Sequence, residues 1–370
     1  MSFSNDVRTD YKKILKDGCR IIDVRSPSEY QLGSIRNAIN LPILDDEKRK
    51  KVGTCYKKNG QTAAIALGYE LVSENIKENL VDSWTKAVEK GSLICCWRGG
   101  LRSIITQNWL QESGVNLPRI SGGYKALRRT CIEVIQDCSH KNFIVIAGRT
   151  GSGKTEVIRS LVRTIDLEGL ANHRGSAFGH RKTPQPPLAS FENNLATTLL
   201  QIDRSGPIAI EDESRTIGHL AVPLPLFDRM RISPIVVLET PIEERVENIY
   251  QEYVVRDDNP NNLLVGIDRI KKRLGGKLHS ELRDCMTKAF DKQNKDLHQR
   301  WIIRLLSKYY DPMYDYQIQN KYPRVVYRGE KQDVLRFLST FEIKTLILNV
   351  CENIAENQLT NTLSNWSLTP

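Results

Sequence analysis

The sequence predicts an α/β protein made of two parallel-sheet domains in succession, the second ending in a helical, basic part. Three observations predict it. Short apolar segments alternate with stretches of helical periodicity, the pattern of strand–helix–strand units. Two glycine-rich loops each follow an apolar segment and precede a helical one, at Cys96–Gly100 and Gly148–Thr155. A long Lys/Arg-rich helical region follows the second loop and runs to about Tyr310.

A helix near Tyr11–Lys16 opens the chain, and Cys19-Arg-Ile-Ile-Asp23 is a buried strand ending in polar residues. Ala38-Ile-Asn-Leu-Pro42 is a second strand, stopped by proline. Residues 46–87 form a charged, helix-prone insertion. Ser92-Leu-Ile-Cys-Cys96 is the next strand; the helix over residues 103–113 buries Ile104, Ile105, Trp109 and Leu110 and stops at Gly114. A helix over 125–138 joins the halves. Asn142-Phe-Ile-Val-Ile-Ala147, Pro207-Ile-Ala-Ile210 and Pro234-Ile-Val-Val-Leu238 are strands, and 322–328 is the last. The expected boundaries are a first domain over 1–128, a linker helix over 129–141, a second domain with its helical extension over 142–340, and a tail over 341–370.

Composition bounds the function. A chain of 370 residues holds two or three domains, and 40% hydrophobic with 26% charged residues excludes a disordered chain. No apolar run approaches the roughly 18–20 residues that span a bilayer, and the polar, acid-bearing first ten residues are no secretory signal. A cytoplasmic protein without membrane contact is expected. Fifty-four basic against 44 acidic residues give +10, which favours a polyanionic partner such as nucleic acid. Eight cysteines include no C-x-x-C pair, so no zinc site is expected.

Cys96 stands where a buried strand gives way to a helix across Trp97-Arg-Gly-Gly-Leu101. Such a loop turns backbone N–H groups toward the sulfur, the following helix adds its positive end, and Arg98 and Arg102 add charge. All favour the thiolate, the nucleophilic form. Cys95 faces the other side of the strand. Gly148-x-x-x-x-Gly153-Lys154-Thr155 fits the phosphate-loop pattern, between a strand and a helix. Gly148, Gly151, Ser152 and Gly153 supply backbone to phosphate oxygens, Lys154 a point charge, and Thr155 a hydroxyl for Mg²⁺. Glu211 or Asp212, at the end of an apolar strand, is the candidate to orient Mg²⁺ or a diphosphate.

Asp23-Val-Arg25-Ser-Pro-Ser-Glu29-Tyr30, Gly33-Ser-Ile-Arg-Asn-Ala38-Ile-Asn-Leu-Pro42 and the Cys96 loop together resemble a rhodanese domain, which carries sulfur or selenium on its cysteine. Ser34 departs from the histidine of many rhodaneses. A rhodanese-like domain followed by a P-loop NTPase-like domain is similar to the bacterial tRNA 2-selenouridine synthase family, also described as geranyl-2-thiouridine synthases. The blocks that carry the resemblance include Val52-Gly-Thr-Cys-Tyr-Lys57, Cys96-Trp-Arg-Gly-Gly-Leu-Arg-Ser103, Gly122-Gly-Tyr-Lys-Ala-Leu-Arg128 and Asp166-Leu-Glu-Gly-Leu170. His173-Arg-Gly-Ser-Ala-Phe-Gly179, Glu211-Asp-Glu-Ser-Arg215 and Tyr309-Tyr-Asp-Pro-Met-Tyr314 continue it.

The resemblance implies a two-step reaction at the wobble uridine of the tRNA anticodon loop. Geranyl diphosphate first alkylates the sulfur of a 5-substituted 2-thiouridine; selenium from selenophosphate, supplied by another enzyme, then replaces the S-geranyl group. On that reading Cys96 carries selenium as a perselenide held by Arg98, Arg102 and the loop amides, and the phosphate loop holds the prenyl diphosphate with Mg²⁺. Asp166, Glu168 and Arg174 are functional by the resemblance alone. Lys125, Arg128, Arg174, Lys271, Lys272 and Arg273 are the candidate tRNA contacts. The alternative is a P-loop kinase or ATPase with a regulatory rhodanese module.

Overall fold

The structure, a computed structural model, describes residues 6–202, 206–256 and 260–339. The 341–370 tail lies outside the described residues. The chain divides into two compact units, the first comprising residues up to 136 together with 187–201, the second the remainder.

The first unit is built on strands β1 (Val7–Arg8), β2 (Ile21–Asp23), β3 (Ala38–Asn40), β4 (Leu93–Cys95) and β5 (Arg119–Ile120). They form one sheet in the order β1-β5-β4-β2-β3, every pair parallel. The central strands are buried throughout, as a sheet covered on both faces requires. The registers Asp23↔Cys95 and Asp23↔Asn40 bring the polar strand ends together at one edge. The insertion folds as two helices, Asp46–Leu71 and Glu74–Lys86, the first broken at Gly60 (φ 83°). It caps the sheet through Trp84, which is fully buried, stacks on Trp109 at 6.2 Å and donates its indole N–H to the Leu41 carbonyl.

Helix Leu188–Gln201 follows the phosphate loop in sequence yet belongs to the first unit. The Ser34 amide donates to Ser190 Oγ at 2.9 Å, and Asn193 Nδ2 donates to the Ser34 carbonyl at 2.9 Å. A Cβ on Gly33 would stand 2.7 Å from the Ala189 methyl. The small Gly33-Ser34 pair is what lets this helix approach.

The second unit holds β6 (Phe143–Gly148), β7 (Thr164–Ile165), β8 (Ile208–Glu211), the small antiparallel pair β9 (Thr216–Ile217) and β10 (Leu220–Ala221), then β11 (Ile235–Leu238) and β12 (Val325–Gly329). The main sheet runs β12-β11-β6-β8-β7, all parallel. Its apolar strand β6 lies centrally, which places Gly148 and the loop after it at the carboxyl end of the sheet. Helices from Ile242 to Lys321 pack around Trp301, Leu282 and Met286, the helical C-terminal part expected from the sequence. Among the described residues no helix is long and apolar enough to cross a membrane.

Candidate active sites

Cys96 is the first residue beyond β4 and is 2% exposed. The loop Trp97–Gly100 turns back through Gly99 (φ 65°) into helix Leu101–Glu112. Two glycines from another segment close it. The Tyr124 amide donates to the Cys96 carbonyl at 2.8 Å, and the Lys125 amide to the Trp97 carbonyl at 3.0 Å. A Cβ on Gly123 (φ 57°) would overlap the Cys96 carbonyl oxygen and lie 2.5 Å from the Gly99 nitrogen. Gly122-Gly123 is therefore glycine because backbone meets backbone there.

Cys96 Sγ lies 3.3 Å from Ser103 Oγ, which itself donates to the Gly100 carbonyl. Ser103 is fully buried, and rotation of its hydroxyl would turn it from acceptor of the thiol to donor for an anion. Sequence reasoning gave Ser103 no role. The neighbouring Cys95 is fully buried, and burial with the nearby Asp23 pushes its thiol well up.

The two arginines expected to attend the sulfur differ. Arg98 is exposed and makes no ion pair among the described residues. Arg102 pairs with both carboxylate oxygens of Glu29. Burial works to raise Glu29, but the Arg102 bond and charge win and hold it below its ordinary range. Much of the Arg102 charge is thus spent on orientation. Beneath the loop, fully buried Arg25 pairs with Asp23 at 2.7 Å, donates to the Gly33 carbonyl and lies 3.9 Å over the Tyr124 ring. This pair ties β2 to the glycine segment that closes the loop.

In the second unit the phosphate loop is held from outside. Arg245 Nε donates to the Thr150 carbonyl, Asn248 Nδ2 to that of Gly151, and Thr240 Oγ1 to that of Ser152, at 2.9–3.0 Å. In a planar trans peptide the next N–H points the opposite way, so the amides of Gly151 and Gly153 turn inward. Both glycines have positive φ, 81° and 85°. Ser152 Oγ is buried without a partner among the described residues, and Lys154 Nζ rests on the Gly148 carbonyl at 3.0 Å. Arg245 is itself fixed by Asp311. Arg245, Asn248 and Thr240 lie far along the chain from the loop, and no local pattern marks them.

Glu211 and Asp212 part company at the end of β8. Glu211, 1% exposed, accepts from Thr155 Oγ1 at 2.9 Å and from the Glu168 amide at 3.2 Å. Asp212 is held by Lys321 Nζ at 2.7 Å from both oxygens. Glu168 and Glu213 join Glu211, and burial followed by mutual repulsion raises all three carboxyls toward neutrality. Gly175 (φ 64°) passes so close that a Cβ there would lie 2.8–2.9 Å from oxygens of Glu213 and Glu168. Asp166 caps helix Leu167–Ala171 by accepting from the Gly169 amide, and pairs with Arg159.

Among the described residues no group of three His, Cys, Asp or Glu side chains is set to hold a metal. Mg²⁺ needs less, since it binds through one or two carboxylates with substrate phosphates and water. Thr155 and Glu211 fit that role, and crowded buried carboxylates are a place where a cation relieves repulsion.

The candidate tRNA contacts are scattered. Arg128 is engaged by Glu192 and Asn193, and Arg174 by Glu252 at 2.9 Å with its guanidinium over Tyr253. Lys125, Lys271, Lys272 and Arg273 are exposed. Only the last of these has a side-chain partner among the described residues, the Tyr309 hydroxyl at 3.4 Å.

Parallel sheets with one glycine loop around a cysteine and another of phosphate type define a rhodanese-like domain joined to a P-loop domain. Residues 7–130 match the rhodanese-like domain family, and residues 141–344 match the family described as tRNA 2-selenouridine synthase AAA domain. A tRNA 2-selenouridine synthase of Marinobacter nauticus is 44% identical over 86% of this chain and 94% of its own length. Those of Pseudomonas fluorescens and Shewanella frigidimarina are 43% and 42% identical over 89% of the chain and 96% and 97% of theirs. The chain belongs to the tRNA 2-selenouridine synthase family, and by that membership it is an enzyme.

Proposed function

We propose that the protein converts the wobble 2-thiouridine of tRNA to 2-selenouridine in two steps, geranylation and then selenium exchange. The observation that carries this reading is the coexistence in one chain of a caged cysteine and an intact phosphate loop. In the first step the thiouridine sulfur attacks C1 of geranyl diphosphate. The S–C bond forms, the C–O bond to diphosphate breaks, and the N3 proton is lost. The phosphate loop suits that leaving group, with inward amides, Lys154 and the buried Ser152 hydroxyl to stabilise the departing charge. Mg²⁺, where bound, supplies further neutralisation of the diphosphate, with Thr155 and Glu211 as its protein ligands.

In the second step S-geranyl-2-thiouridine, selenophosphate and water give 2-selenouridine, geranylthiol and phosphate. The exchange is redox-neutral. S-alkylation makes C2 electrophilic and supplies a better leaving group, dividing one hard substitution into two. Cys96 holds selenium for attack on C2, with Ser103 and the loop amides toward the anion. If selenium is carried as a Cys96 perselenide, loading reduces a small-molecule disulfide to two thiols, and release of selenouridine from the S–Se adduct oxidises two thiols back to that disulfide, so the cycle closes without net redox change. A selenophosphate-supplying enzyme, a tRNA partner and cytoplasmic location belong to this reading.

The test is mass spectrometry of wobble nucleosides after incubation of 2-thiouridine tRNA with geranyl diphosphate, Mg²⁺ and selenophosphate. Wild type should yield 2-selenouridine, and Cys96→Ala should stop at the S-geranyl nucleoside. Unchanged nucleoside throughout, with tight ATP binding and none of geranyl diphosphate, would return the protein to the kinase or ATPase class.

A further inference from the structure

An apolar cavity of about 250 Å³ opens in the first unit, between the helical insertion and the helix that follows the cysteine loop. Val52, Ile65 and Tyr69 line it from the insertion, and Leu101, Ile105 and Trp109 from the other side. Leu101 is the first helical residue after the loop, so the cavity begins where the loop ends. Cys96 packs in the same apolar cluster as Ile43, Leu44 and Trp109, which all border the cavity.

Three features describe what would occupy it. Its mouth keeps large apolar side chains in solvent, with Tyr56 58%, Tyr69 51% and Leu101 42% exposed, a cost that a binding partner removes. Its size lies at the small end for organic ligands, suited to a chain of roughly ten carbons rather than a nucleotide. Among the described residues, Arg102 is the one charged side chain in its wall, and Glu29 already pairs with it. A diphosphate finds no grip there, whereas a neutral chain does. The insertion helix also presents Lys50, Lys51, Lys57 and Lys58 to solvent without ion pairs among the described residues, which suits an RNA backbone carrying that chain.

We infer that this cavity receives the geranyl chain of the S-geranylated wobble uridine and so presents C2 to Cys96. The assignment rests on the two-step reading above and adds where the prenyl group sits during the exchange. The cavity then recognises the product of the first step over unmodified tRNA, and gives geranylthiol an apolar place to depart into.

The experiment measures binding of anticodon stem-loops bearing chemically prepared S-geranyl- or S-methyl-2-thiouridine. Wild type should hold the geranyl form at least about tenfold more tightly, since even one buried methylene discriminates by that factor. Ile65→Glu and Tyr69→Glu, checked for folding by circular dichroism, should erase the preference. A stem-loop with a diazirine on the geranyl chain, used with wild type alone, should crosslink to peptides between Ile43 and Trp109. Equal affinity of wild type for both forms, a preference untouched in both variants, or crosslinks elsewhere would each overturn the inference. So would binding of free geranyl diphosphate that is lost in the same two variants, which assigns the cavity to the donor. The two-step reading fails separately, through absence of S-geranyl and selenouridine products from wild type.

Discussion

Around Cys96 the side chains are largely apolar and the charge of Arg102 is offset by Glu29; around Lys154 three buried carboxylates crowd one another. Both centres use a glycine loop between a parallel strand and a helix. The first is a cage of fixed backbone around a buried sulfur, beside an open apolar cavity of about 250 Å³. In the second, Lys154 Nζ rests on the Gly148 carbonyl at 3.0 Å and Thr155 Oγ1 donates to buried Glu211 at 2.9 Å. One centre thus selects by shape and apolar contact, and the other by charge that a ligand or cation must balance.

The largest effects are expected at the loop glycines. Gly123→Ala places a Cβ onto the Cys96 carbonyl at positive φ, and Gly151→Ala places one 2.8 Å from the Arg245 carbonyl, also at positive φ. Strain alone costs about 1–3 kcal/mol, and displacement of the loop adds to it. Gly123→Ala should lower selenium exchange at least about a hundredfold while geranyl diphosphate still binds by calorimetry; Gly151→Ala should do the reverse. Equal damage to both steps by either variant would mean that the two loops do not work as separate centres.

These glycines also mark where the sequence is legible. Strand alternation and the following glycines distinguish Cys96 from Cys95 without a structure. The same alternation separates Glu211 from Asp212 only once β8 is known to end at Glu211. Gly122-Gly123 reads locally as a turn, because the loop it touches is more than twenty residues upstream in the chain. The place of helix Leu188–Gln201 in the first unit depends on Gly33 and Ser34, 156 residues from the residues they meet, and no local pattern carries such a pairing.

A smaller effect separates the centres by pH. Carboxyls raised above their unfolded values favour the protonated state in the folded protein, so their contribution is full below about 4.5 and is lost as pH rises through neutrality. The melting temperature of the free protein should therefore fall between pH 6 and 8.5 in scanning calorimetry. Glu211→Gln should flatten that slope and raise the melting point at pH 8.5 by a few degrees, on the order of 1–2 kcal/mol. It should also weaken Mg²⁺-dependent binding of geranyl diphosphate. A slope unchanged in Glu211→Gln would remove charge crowding from the account of the phosphate loop.

The mildest effect concerns basic residues, where the structure separates charges already spent from charges left over. Arg128 is bonded to Glu192 and Asn193, which anchor helix Leu188–Gln201, so Arg128→Gln should cost stability and leave the salt dependence of tRNA binding alone. Lys271 and Lys272 are exposed and unpaired among the described residues. If they contact the RNA backbone, replacing both by Gln removes up to two phosphate neutralisations. The slope of log K against log salt should then fall by about 1.4–1.8, with affinity reduced alike for thiolated and geranylated tRNA. A filter-binding series from 50 to 300 mM salt distinguishes the two variants. An unchanged slope for the double lysine variant would remove that helix from the tRNA surface, and a changed slope for Arg128→Gln would show that its pair with Glu192 opens when RNA arrives.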